Sequence, residues 1–160
     1  MTAEALRQAL ANGLTHDQFH DLAATLRRHP ADEVFGLLWP LALDGELVLS
    51  QYAGWMLAHL EPRCPLPAED ALRAVAASEL NLSWREVPFY LGIQFGKPEV
   101  ARAIRVVAAE YPAGPPPELS GVAYWLGYPA VELVKTFVEW RSRWGCEADA
   151  KPRSVADGGA

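Results

Sequence analysis

The sequence predicts an all-α chain, a right-handed αα-superhelix of stacked helical hairpins, with an irregular helical bundle as the alternative. Three observations point that way. Ala and Leu together supply 47 of the 160 residues and Ile supplies two, a balance that favours helix over sheet. Apolar residues recur at three and four between Gly and Pro breaks along most of the chain. A Leu-Ser pair also recurs, at Leu49-Ser50, Leu82-Ser83 and Leu119-Ser120, 33 and 37 residues apart, each time ahead of an aromatic-rich stretch.

The elements follow in order. Leu6 and Leu10 mark a helix over Ala3 to Ala11, ended by Gly13. Thr15-His16-Asp17-Gln18 fits a capping box and opens a second helix with Phe19, Leu22 and Leu26 inward. Arg27, Arg28 and His29 suit its negative end, and Pro30 stops it. Val34, Phe35, Leu38 and Leu41 define a third helix over Ala31 to Leu43, which Pro40 should kink or shorten. Asp44-Gly45 is a turn, and Leu47 to Leu60 forms the fourth helix through Tyr52, Trp55, Met56, His59 and Leu60.

Three prolines make Glu61 to Pro67 a loop. Pro67 then occupies the first position of a helix running to Ser78. Ser83-Trp84-Arg85-Glu86 reads as a second capping box, opening a helix through Val87, Tyr90, Leu91 and Ile93 that Gly96 ends. Lys97-Pro98 starts a helix with Val100, Ile104, Val107 and Tyr111. Pro112 to Pro117 is a rigid connector, and Glu118 to Gly127 is a short helix. Pro129 opens the last helix, with Leu133, Val134, Phe137, Trp140 and Trp144. Residues 1–146 form one domain, and the small, polar, aperiodic stretch 147–160 is a flexible tail.

Each interval between Leu-Ser pairs holds one further helix, which makes a two-helix unit. A single hairpin cannot bury both sides of its apolar stripe, so such units stack and share a core. On this alternation, with a proline near the first helix and small residues where helices touch, the segment from Ala31 to Trp144 resembles HEAT-type repeats. It departs from them in two ways: the Asp and Arg of a regular HEAT turn are not in register, and the repeat length drifts. The resemblance implies a scaffold that binds macromolecules along its inner surface.

Charge narrows the partner. The net charge is −6, and none of the three segments 1–60, 61–111 and 112–160 is basic, so long-range attraction to nucleic acid is missing. Arg102 with Arg105, and Arg141 with Arg143, are the nearest thing to a basic strip. Beside Trp84 and Arg85 they mimic a small part of the basic, aromatic-lined face of HEAT-like DNA glycosylases, but acids are interleaved. Apolar runs are too short for a membrane span, and the first residues lack a signal pattern, which makes the cytoplasm the expected compartment. Cys64 and Cys146 lie far apart in no metal-type spacing and read as free thiols.

Chemistry-bearing patterns are few. His16 and His20 share a helix face at i, i+4, a spacing suited to a metal if a third ligand arrives, with His29 or His59 as candidates. They are the basis of an alternative reading as a metal protein or enzyme, although no Glu follows His16 as in zinc proteases. Ser50, Ser83 and Ser120 read as helix caps rather than nucleophiles. Cys64 sits between Arg63 and Pro65, where a neighbouring cation lowers a thiol pKa, or where a proline loop merely exposes it. Neither a glycine-rich phosphate loop nor a catalytic grouping is recognisable, and no cofactor or metal is assigned.

Six Trp is a high number for this length. Trp39, Trp55 and Trp125 read as packing, whereas Trp84 stands just after a cap, where side chains often face outward. The functional expectation is a non-enzymatic adaptor, inhibitor or immunity-type protein. Its partner, a protein left unidentified, would dock on the second helices of the repeats near Tyr52, Trp84, Arg85, Tyr90 and Tyr124. Oligomeric state stays open.

Overall fold

Local signals set most helix ends. The structure, a computed structural model, describes residues 1–81 and 83–127, and every regular element there is helical. Helix α1 (Ala3–Ala11) is capped by Thr2, whose hydroxyl accepts from Ala5 N at 3.2 Å. Helix α2 (His16–Leu26) forms both halves of the capping box, with Thr15 Oγ1 accepting from Gln18 N and Gln18 Oε1 accepting from Thr15 N. Helix α3 (Ala31–Ala42) runs two residues past Pro40. Gly36, four residues before that proline, is exposed, so water can replace the lost amide at its carbonyl.

Helix α4 (Leu47–Leu60) ends at Glu61, which takes the left-handed conformation at φ 47°. Helix α5 (Ala68–Ala76) begins after Pro67, which serves as the cap rather than as a helical residue. Helices α6 (Glu86–Phe95), α7 (Lys97–Ala108) and α8 (Pro117–Leu126) complete the described part. The expected final helix from Pro129 to Trp144, the tail 147–160, Cys146, Arg141, Arg143 and Leu82 lie outside the described residues.

The serine caps are corrected. Ser50 lies inside α4, buried, its hydroxyl donating to Leu47 O at 3.4 Å. Ser120 lies inside α8. Ser83 caps nothing: α6 starts at Glu86, after Arg85, with no side-chain cap. Asn81 diverts the chain first, its Oδ1 accepting from Ser83 N at 2.9 Å and its carbonyl from Trp84 N at 3.0 Å. Leu49 and Leu119 remain equivalent, each the third residue of its helix and each buried. Ser83 has no such place.

Helices two apart in sequence pack together. α4 contacts α6, α6 contacts α8, α5 contacts α7 and α1 contacts α3, while α3 also lies along α4. Glycines let the even-numbered helices approach. A Cβ on Gly54 would stand 3.3 Å from Glu86 Cβ, and one on Gly92 would stand 3.0 Å from Leu126 Cδ2. One apolar cluster runs through the described residues, from Leu6 and Phe19 through Leu38, Met56 and Leu72 to Tyr90, Val107 and Val122.

An ion pair recurs across this arrangement. Arg7 on α1 meets Asp44, two residues past α3, at 2.6 Å. Arg73 on α5 meets Glu110, two residues past α7, at 2.7 Å. Both pairs span 37 residues.

Candidate protein-binding face

Helices α4, α6 and α8 differ chemically from their neighbours. α4 holds no Asp, Glu, Lys or Arg; α6 holds only Glu86 and α8 only Glu118. α5 and α7, by contrast, carry three and four charged side chains. Each helix of the α4–α6–α8 series also leaves apolar side chains in solvent: Leu47 is 56% and Val48 42% exposed on α4, Ile93 45% on α6 and Tyr124 62% on α8.

The residues expected at the site separate into three kinds. Tyr124 is exposed, its ring edge-on to Trp125 at 5.2 Å between centroids; Trp125 in turn meets Phe89 of α6 at 6.1 Å. Tyr52, Trp84 and Arg85 are half-buried. Tyr52 donates from its hydroxyl to Leu14 O at 3.0 Å and stands edge-on to Trp55, so it ties α4 to the α1–α2 connection. Trp84 Nε1 is buried without a hydrogen-bond partner. Tyr90 is the correction: it is fully buried, and its hydroxyl donates to Pro62 O at 2.7 Å. Because α6 is apolar on nearly every side, its sequence does not reveal which face turns inward. Tyr90 therefore fastens the proline loop and is no part of a surface. Gln94 assists it, accepting from Cys64 N at 3.1 Å.

Glu86 is the residue that sequence reasoning missed. The Ser83–Glu86 pattern makes it a capping acid, yet it is 7% exposed where α6 meets α4. Its Oε1 accepts from Trp55 Nε1 at 2.9 Å, and its Oε2 has no hydrogen-bond partner. Burial raises the carboxyl above its ordinary range, opposed by its own backbone amide, the Trp55 indole and Arg85. Its isolation as the one charge on α6 was the available signal.

Other candidates fall into place. Cys64 is buried, and burial pushes its thiol up, the reverse of activation by Arg63. Arg102 is held by Glu69 and Glu99, each at 2.6 Å, so its charge is already neutralised locally. His16 and His20 do share a face, and His59 of α4 comes within 5.8 Å of His20 between ring centroids, a proximity no sequence spacing could show. Among the described residues no three His, Cys, Asp or Glu side chains converge as a metal site, and no helix is long and apolar enough to cross a membrane. No family model matches the chain, nor does any curated protein or solved structure.

Proposed function

We propose that this chain is a non-enzymatic protein-binding module of the adaptor, inhibitor or immunity type, working in the cytoplasm. In this reading its hairpins stack as a HEAT-like αα-superhelix, and a partner protein docks along α4, α6 and α8. One observation carries the reading: the three helices that pack in series are almost devoid of charge and each exposes large apolar side chains. A helix that is apolar all round is normally covered all round, and clustered apolar exposure marks interaction surfaces. The repeated Arg7–Asp44 and Arg73–Glu110 pairs support the stacked-hairpin geometry.

The test is capture from the native cell lysate with wild type and with Val48→Arg, Ile93→Arg and Tyr124→Arg. Val106→Arg, on α7 and 41% exposed, is the control. A protein retained by wild type and control and lost by the α4, α6 and α8 variants supports the reading. Equal retention by all variants overturns it. Retention that nuclease abolishes, and that falls with Arg102→Ala and Arg105→Ala, assigns nucleic acid instead.

A further inference from the structure

The two halves of the described chain correspond helix by helix. Ala5-Leu6-Arg7 on α1 returns as Ala71-Leu72-Arg73 on α5, and the ion-pair partners Asp44 and Glu110 stand the same 66 positions apart as Arg7 and Arg73. Helix α7 begins 66 positions after α3, and both are 12 residues long, with Val34 and Val100, and Leu41 and Val107, buried at matching places. Helix α8 repeats α4 at 70 positions: Leu49-Ser50, Ala53 and Trp55 return as Leu119-Ser120, Ala123 and Trp125.

The halves differ in what covers them. In the first half, Phe35 and Leu38 of α3 and Ala53, Met56 and Leu57 of α4 are all buried. Helix α6 of the second half packs along α4, and its Tyr90 ring stands 6.3 Å from Phe35 and 6.2 Å from Trp39 between centroids. The matching places in the second half are Ala101, Ile104, Ala123, Leu126 and Gly127, which with Lys97 line a groove of about 260 Å³ between α7 and α8. Ala101, Ala123 and Gly127 are exposed there. Ala101 in the place of Phe35 leaves room for a ring, and among the described residues no helix follows α8 to supply one.

Charge identifies the occupant. Arg102 is held by Glu69 and Glu99, whereas Lys97 and Arg105, one turn to either side of Ala101, make no ion pair among the described residues. Two unpaired cations beside an apolar groove select acids in whatever enters it. The chain's own residues 129–144 carry three cations against two acids, a poor match for that rim. We infer that the α7–α8 groove takes an aromatic side chain from a helix of a partner protein, flanked one turn to either side by carboxylates that meet Lys97 and Arg105. This rests on the protein-binding reading above and gives the partner its chemistry.

The experiment titrates an alanine-rich helical peptide, with one Tyr and a Glu one turn to either side, into the full-length chain by calorimetry. Saturable binding is expected, and it is lost when the peptide's Tyr is replaced by Ala. Ala101→Trp fills the groove and weakens binding at least about tenfold, Lys97→Glu and Arg105→Glu each weaken it about tenfold, and Arg28→Glu, just past α2, leaves it unchanged. Melting of the variants at the wild-type temperature shows that they fold. Absence of saturable binding to wild type, or equal binding by Ala101→Trp, overturns the proposal. A peptide that binds only after Phe137→Ala and Trp140→Ala assigns the groove to residues 129–144, and a dimer that Ala101→Trp dissociates assigns it to a second copy; either result overturns the proposal too. The peptide reads the groove alone and lysate capture reads the exposed side chains of α4, α6 and α8, so each test can fail without the other.

Discussion

Trp55 Nε1 donates to Glu86 Oε1 at 2.9 Å, joining α4 to α6 through the one carboxyl side chain that is buried among the described residues. Gly54, beside Trp55, lets the two backbones come near enough for that bond. The junction is thus polar at its centre and apolar around it.

Glu86 makes the stability of this junction depend on pH. Its folded value lies above its unfolded one, so the folded chain binds its proton more tightly. As pH rises from the ordinary carboxylate range through the raised folded value, the contribution of Glu86 to stability falls. Glu86→Gln keeps an acceptor for Trp55 and removes the ionisation. Urea titrations should show the variant gaining on wild type above the ordinary carboxylate range, with the gain vanishing below it. A difference that is the same at every pH counts against this account. Asp44 has the opposite sign: the Glu46 amide and Arg7 hold its carboxyl low, so its contribution is lost as pH falls.

Two helix-interior glycines should respond oppositely to alanine. Gly36 has nothing within 4 Å of an added Cβ, and it is exposed on α3. Gly36→Ala should therefore stabilise by about 0.5–1 kcal/mol through backbone entropy. The same gain applies at Gly54, but its Cβ would press on Glu86 Cβ, close to the α6 backbone, and α6 must give way. Gly54→Ala should be destabilising. Denaturant midpoints that shift the same way in both variants would show that the α4–α6 approach is not tight.

The helices were legible because cap, spacing and breaker are local properties of the chain. Thr15 to Gln18 shows this: the expected box forms with both of its bonds. Ser83 to Glu86 shows the limit. The pattern is equally good, but Asn81 supplies a competing acceptor, and burial claims Glu86 for Trp55. The site was less legible. Tyr90 and Tyr124 occupy similar aromatic-rich stretches, and only packing of α6 between α4, α7 and α8 sends one inward. His59 reaches His20 through tertiary contact between α2 and α4, which no spacing encodes.

Tyr90 and Tyr124 supply the sharpest separation of fold from docking. Tyr90→Phe removes the donor to Pro62 O in a buried place, leaving that carbonyl unsatisfied, and should cost about 1–3 kcal/mol. It alters no exposed surface, so partner capture at temperatures well below unfolding should persist. Tyr124→Arg changes an exposed side chain, and its stability should stay within about 0.5 kcal/mol of wild type. Capture should then be lost, because a cation replaces the ring on a nearly charge-free helix. Chemical denaturation and lysate capture on the same two variants read both quantities. If Tyr90→Phe loses the partner while Tyr124→Arg keeps it, the docking surface lies elsewhere, and the exposed apolar side chains of α4, α6 and α8 have another purpose.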